Sequence, residues 1–350
     1  NHMSKSFQGV MTDISSMLGE VYSADEVALV PGGGTFAMEA VARQFGGGAH
    51  ALIVRNGWFS YRWSQIFEAG NFAAKTTVMK ARQAGNDTRA PFAPAPIEDV
   101  VAAIREAKPD VVFAPHVETS AGMILPDDYL KAMSDAAHEV GALLVLDCIA
   151  SGCIWVDMKA TGVDVLISAP QKGWSATPSA GLVMMSARAA ARLAETTSDS
   201  FSMDLKKWRA IMVAYEEGGH AYHLTMPTDG LRAFRDTMAE TKDYGFEKLK
   251  AAQWDLGRKV RAILEAKGIK SVAAEGFQAP GVVVSYTDDP AVQNGSAFVA
   301  KGMQIAAGVP LQCDEPADFR TFRLGLFGLD KLYDVDGTVG RLTPVLDAVL

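Results

Sequence analysis

The sequence predicts an α/β fold built on a mostly parallel sheet, with a large domain over residues 1–235 and a smaller C-terminal α+β domain over residues 236–350. Three observations carry this expectation. From residue 26 to about residue 170, short and wholly apolar runs alternate with helical patterns. After Pro227 the order changes: a long helical run gives way to strand, strand, helix, strand, helix. Finally, 350 residues with 49% hydrophobic and 21% charged side chains provide ample material for a core of that size.

The chain starts with a helical pattern. Phe7, Val10, Met11, Ile14, Met17 and Leu18 recur at helical spacing behind Ser4, a suitable N-cap. The runs Val27–Val30, Ala51–Val54, Val111–Ala114, Leu143–Leu146 and Val165–Ser168 then read as strands buried on both faces. Helices Phe36–Phe45, Ile97–Ala107 and Leu130–Val140 fall between them, and Lys80–Pro96 reads as a polar loop. A further apolar run, Leu182–Ser186, leads into helices Ala187–Ala194 and Leu205–Tyr215. One helical run is expected from Pro227 to about Lys267. The smaller domain is expected to hold strands Ser271–Ala274, Val282–Tyr286 and Thr321–Leu326, and helices Ala297–Ala307 and Leu342–Leu350.

Composition excludes several classes of function. The net charge of −8 disfavours nucleic acid or an anionic membrane surface as partner. No apolar run approaches the roughly 18 residues of a membrane helix. The three cysteines, Cys148, Cys153 and Cys313, cannot pair evenly and read as reduced core thiols of a cytoplasmic protein. None of the six histidines has the spacing of a metal site. Asn1-His2-Met3 reads either as an appended remnant or as native chain whose preceding segment is missing.

Ligands on such sheets bind beyond the carboxyl ends of the strands. Pro31-Gly32-Gly33-Gly34-Thr35 follows the first strand and opens a helix, which suits a phosphate. It is not a Walker A loop. Gly32, Gly34 and Ala37 also fit a loose dinucleotide pattern, but the next strand ends at Val54-Arg55 without the acid that would hold a ribose. Asn56-Gly57-Trp58-Phe59-Ser60 puts aromatic rings at the same edge, and His116-Val117-Glu118-Thr119-Ser120 puts hydrogen-bonding side chains there. Asp147 emerges from a wholly apolar run, where an acid is costly unless a cation meets it. Lys172, after another apolar strand, is flanked by small and turn residues; a desolvated lysine has a lowered pKa and can form a Schiff base. Phosphate cradle, aromatic ring, hydroxyl, lone acid and buried lysine on one sheet edge together describe a site for pyridoxal 5′-phosphate (PLP).

In these residues the chain resembles the class V, fold-type I PLP-dependent aminotransferases, in particular the alanine/serine–glyoxylate or –pyruvate branch. The resemblance implies a large domain with a mostly parallel seven-stranded sheet and a homodimer with a shared active site. It implies that Lys172 in Ser168-Ala169-Pro170-Gln171-Lys172 carries the cofactor as a Schiff base, with Gln171 beside it. Asp147 would pair with the pyridine nitrogen, Ile149 and Phe59 would cover the two ring faces, and Thr119 would lie near the ring. Gly33, Gly34 and Thr35 would hold the phosphate. Tyr222 and Thr225 would reach the phosphate of the neighbouring subunit, and Arg323 in Phe322-Arg323-Leu324 would grip the substrate carboxylate. Arg320, an odd number of positions away, is left as a structural or surface residue.

The implied activity is transfer of an amino group from a small amino acid, alanine- or serine-like, to a 2-oxo acid such as glyoxylate or pyruvate. A 2-aminoethylphosphonate- or phosphoserine-type transaminase is the nearer alternative. A lyase or cysteine desulfurase is the more distant one, since those relatives usually carry a histidine where Gln171 stands. Three departures bear on the substrate. Gly33 lacks a hydroxyl often found there. Trp174 is bulkier than expected after the lysine and is expected to reshape the pocket. A Gly/Pro-rich stretch that usually precedes the His-x-Ser seen here as His2-Met3-Ser4 is expected to be missing.

Overall fold

The computed structural model describes all 350 residues. Its first helix, α1 (Lys5–Tyr22), is capped as the sequence suggests: the Ser4 side chain accepts the Phe7 N–H at 3.2 Å. The central sheet has seven strands: β1 (Glu26–Pro31), β2 (His50–Arg55), β3 (Lys75–Lys80), β4 (Val111–Pro115), β5 (Leu143–Asp147), β6 (Val165–Ser168) and β7 (Ala180–Met185). They lie in the order β1-β7-β6-β5-β4-β2-β3, and only β7 runs against its neighbours. Helices α2 (Gly34–Gly46), α3 (Trp58–Gly70), α4 (Ile97–Ala107), α5 (Asp127–Glu139), α6 (Ala187–Glu195) and α7 (Leu205–Glu216) connect or flank the strands. Val, Leu and Ile dominate β1, β2, β4, β5 and β6, and their interiors are buried, as a sheet covered on both faces requires.

The topology positions the site. Because β7 is antiparallel to both β6 and β1, β1 points the same way as the parallel strands. The carboxyl ends of β1, β2, β4, β5 and β6 therefore share one edge. Register is tight there: Asp147 pairs with Pro115 on one side and with Ile167 on the other.

The smaller sheet consists of β8 (Val282–Tyr286), β9 (Ala306–Ala307) and β10 (Thr321–Gly325), all antiparallel in the order β8-β10-β9. Helices α8 (Thr228–Tyr244), α9 (Phe246–Ala266) and α10 (Val335–Val349) accompany it. Residues 235 and 236 both lie within α8.

Several elements differ from the sequence expectation. The run after Pro227 is two helices, broken at Gly245 with φ 110°, a conformation that side chains rarely adopt. The expected helix Ala297–Ala307 is a single turn, Ser296–Val299. Gly302, at φ 77°, ends the helical backbone, and Ala306–Ala307 joins the sheet instead. Ser271–Ala274 makes only isolated bridges, from Ser271 to Ser285 and from Ala273 to Phe92. Helix α10 starts at Val335, capped by Asp334, and carries Pro344 within it. Edge strand β3 has no counterpart in the sequence reading because its Lys and Thr residues mask the apolar pattern.

Candidate active site

At the shared edge lies a cleft of about 300 Å³, lined by Gly33, Gly34, Thr35, Phe59, Thr119, Asp147, Ile149, Gln171 and Lys172 among others. Nine residues singled out in five separate stretches of sequence thus meet in one pocket.

The glycine turn shows why its sequence is needed. Gly32 sits at φ 120°, and a Cβ there would run into the Phe36 ring. Gly33 is the N-cap of α2 and offers no side-chain cap, so the Gly34 and Thr35 N–H groups remain available to an anion, while the Phe36 N–H donates to the Gly33 carbonyl at 3.0 Å. Thr35 is exposed and adds a hydroxyl.

Phe59 stands in the first turn of α3 rather than in a loop. A buried carboxylate fixes that turn. Glu118 accepts the Phe59 N–H at 3.2 Å, the Ser60 N–H at 2.8 Å and the Ser60 hydroxyl at 2.7 Å. It also accepts the N–H and hydroxyl of Ser120. Thr119, the intervening residue, is thereby held against the cleft.

Asp147 is 8% exposed, and the only hydrogen bond to its carboxylate is from the Ile149 N–H, at 2.9 Å. Burial pushes its carboxyl up to about 7; the Ile149 N–H opposes this, nearby Glu118 adds to it and Arg62 opposes it. Gln171 presents a buried Oε1 with no partner. Burial, and then the positive charge of Arg323, hold the Lys172 amine below its ordinary value. The Lys172 Nζ sits 5.5 Å from the centre of the Phe327 ring.

These groups fit PLP. An amide oxygen without a partner, an acid with a single hydrogen bond and a desolvated amine face a pocket with an anion-binding turn at one end, and buried polar groups of that kind require a ligand or water. His116 is close by but engaged differently. It lies wholly buried, burial pushes it down to about 3, and its Nδ1 shares a hydrogen bond of 2.7 Å with the Ser151 hydroxyl.

Arg323, on β10, reaches α3, with its guanidinium 5.6 Å from the Phe59 ring centre. Its Nε donates to the Ala307 carbonyl at 2.7 Å. Arg320 points elsewhere, donating to the Asp288 carbonyl. Tyr222 and Thr225 lie outside the cleft of their own chain; Tyr222 is 64% exposed. The Trp174 expectation is overturned. Its ring is buried among Tyr22, Trp155, Phe234 and Phe246 and does not enter the cleft, because the backbone after Lys172 turns the side chain into the core.

Two residues of this neighbourhood carried no role in the sequence reading. Glu118 was visible as a lone acid beside hydroxyl residues in a buried stretch. Arg62 would have been found had Trp58–Gly70 been read as a helix, since it lies three positions after Phe59 on the same face.

The mostly parallel seven-stranded sheet is the architecture of the fold-type I aminotransferases, which are PLP enzymes. The chain belongs to the aminotransferase class-V family, whose model matches residues 1–312. It is 27% identical over 348 residues to a 2-aminoethylphosphonate–pyruvate transaminase of Paraburkholderia phymatum, covering 95% of this chain and 86% of that protein. A Synechococcus protein named soluble hydrogenase, small subunit, is 25% identical, covering 99% of this chain and 86% of that one. An alanine–glyoxylate aminotransferase structure from Nostoc superposes with a TM-score of 0.80 at 23% identity, over 100% of this chain and 88% of the other.

Proposed function

We propose that this aminotransferase binds PLP in the cleft and moves an amino group from a small alanine- or serine-like donor to a 2-oxo acid such as glyoxylate or pyruvate. The observation that carries the reading is the convergence of Lys172 and Asp147, both with pKa values displaced by burial, on one pocket with the uncapped glycine turn.

Gly33, Gly34 and Thr35 would hold the phosphate, Phe59 and Ile149 would cover the ring, and Thr119 and Gln171 would lie beside it. Asp147 pairs with the ring nitrogen. PLP bound there supplies an electron sink for the Cα–H bond of the amino donor. Lys172 is the amine that would hold the aldehyde carbon. Burial lowers its pKa, which favours the neutral amine that would take the Cα proton of the donor and deliver it to the cofactor carbon that carried the aldehyde. Arg323 orients the substrate carboxylate through its planar guanidinium.

Tyr222 and Thr225 act on the partner subunit's site in a homodimer. Their exposure beside the large domain supports this, and their own chain gives them no contact with its cleft. The compartment is the cytoplasm, in line with three unpaired cysteines.

A second reading, 2-aminoethylphosphonate as donor, is favoured by the names of several relatives. A desulfurase is not favoured. Burial pushes the Cys153 and Cys313 thiols up to about 12 and holds Cys148 well above its ordinary value, so none supplies a ready thiolate.

The test is the visible spectrum of the purified protein with PLP, before and after L-alanine, L-serine and 2-aminoethylphosphonate in turn. Bleaching of the bound-cofactor band by one donor, restored by a 2-oxo acid, establishes the transfer and names the donor. A protein that acquires no band, and no borohydride-fixed group at Lys172, overturns the reading.

A further inference from the structure

We propose that Arg62 is a phosphate-binding residue of this site, its guanidinium closing on the cofactor phosphate beside Thr35. The inference deepens the PLP reading above and rests on it.

Arg62 lines the same cleft as the glycine turn. Its Nη1 donates to the Thr35 hydroxyl at 3.0 Å, so the cation is already tethered to the turn that the phosphate would occupy. Its guanidinium also lies 5.4 Å from the centre of the Phe59 ring. Arg62 takes part in no ion pair of the chain, while Arg43, Arg105, Arg209 and Arg235 each meet a carboxylate. A half-buried guanidinium without an acid, held at the mouth of an anion-binding turn, lacks only the anion.

Charge balance points the same way. Three charged side chains line the cleft: Arg62, Asp147 and Lys172. Asp147 is an acid, and the Lys172 amine is held below its ordinary value. Arg62 is the one permanent cation among them. A phosphate monoester carries about −1.5 to −2 charges at neutral pH. Helix N–H groups alone offer only a partial counter-charge. Gly33 brings no hydroxyl to the turn, which leaves room for the longer reach of an arginine on α3. Arg323 does not compete for this task, being anchored to Ala307 on the second sheet.

The test compares PLP with pyridoxal, which has the same ring and aldehyde without the phosphate. Cofactor-free wild type, Arg62→Gln and Arg62→Lys are titrated with each, following tryptophan fluorescence. Arg62→Gln is expected to weaken PLP binding by roughly tenfold or more, as for loss of a charge-assisted contact, and to leave pyridoxal binding unchanged. Arg62→Lys is expected to recover part of the loss. Unchanged PLP affinity in Arg62→Gln overturns the proposal. An equal loss for pyridoxal also overturns it, since Arg62 would then act only by steadying Phe59. In parallel, inorganic phosphate should raise the melting temperature of the cofactor-free wild type but not that of Arg62→Gln. Wild type that binds no PLP overturns the cofactor reading; the phosphate measurement then decides on Arg62 alone, and no stabilisation of wild type rejects it.

Discussion

The Glu118 carboxylate accepts both the backbone N–H and the hydroxyl of Ser60, at 2.8 and 2.7 Å, across 58 residues of sequence. This pair ties the carboxyl edge of β4 to the first turn of α3, and so fixes the distance between the hydroxyl of Thr119 and the ring of Phe59. A side chain with no exposed surface thereby aligns two walls of the cleft.

Glu118→Gln replaces one acceptor oxygen with an NH₂ that faces donors. At least one buried N–H or hydroxyl then loses its partner, at a cost of about 2 kcal/mol or more. Urea denaturation of the cofactor-free protein should show this loss. PLP affinity should fall as well, because Phe59 is no longer pinned.

Asp147 predicts a pH dependence of stability. Its carboxyl is raised from 3.8 to about 7, mainly by burial. A group raised on folding binds more protons folded than unfolded between those two values. Its contribution is whole below about 4 and is lost as the pH rises through about 7, by a few kcal/mol at most. Asp147→Asn does not titrate in that window. The stability of cofactor-free wild type minus that of Asp147→Asn should therefore decline from pH 4 to pH 7. Added PLP should flatten the decline, since a protonated ring nitrogen favours the carboxylate. A difference that stays level with pH in the cofactor-free protein would contradict the assignment.

Much of this site was legible because the sheet converts sequence order into spatial order. A parallel strand ends on one fixed edge, so residues following Val30, Val54, Ala114, Leu146 and Ser168 had to converge whatever lay between them. What escaped notice depends on side-chain direction and on local breaks. Trp174 looked like a pocket residue because it follows Lys172 by two positions, yet the chain turns there and an aromatic cluster takes the ring. Arg62 was hidden because Asn56–Ser60 gave no helical signal in so few residues. The failure at Ala297–Ala307 has a different origin: apolar and alanine residues suggested a helix, but Gly302 and pairing with β10 determine the backbone. Tyr222 and Thr225, named by the resemblance, lie outside the cleft of their own chain, so no contact within one chain bears on their reading.

Arg323 should have two separable effects. Arg323→Ala removes a positive charge that helps to hold the Lys172 amine low, so the amine's pKa should rise. The pH profile of Lys172 labelling by an amine reagent, followed by peptide mapping, should shift upward. KM for carboxylate substrates should also increase, by about tenfold or more if the guanidinium makes a bidentate contact. A raised KM with an unmoved labelling profile would mean that Arg323 meets the substrate without influencing the lysine.

Two glycines separate pocket shape from stability. A Cβ at Gly34 would meet the Cδ1 and Cγ1 atoms of Ile149, the movable end of a half-buried side chain at the cleft. A Cβ at Gly173 would instead meet the backbone carbonyl of Gly152, which has no rotamer to escape into. Gly34→Ala should therefore push Ile149 into the space beside Asp147 and lower PLP affinity severalfold, with a stability loss of about 1 kcal/mol. Gly173→Ala should force the two backbone segments apart and cost about 2–3 kcal/mol. Urea denaturation and PLP titration of both variants check the pair. If Gly34→Ala proved the more destabilising and bound PLP as tightly as wild type, Ile149 would not be a wall of the cofactor site.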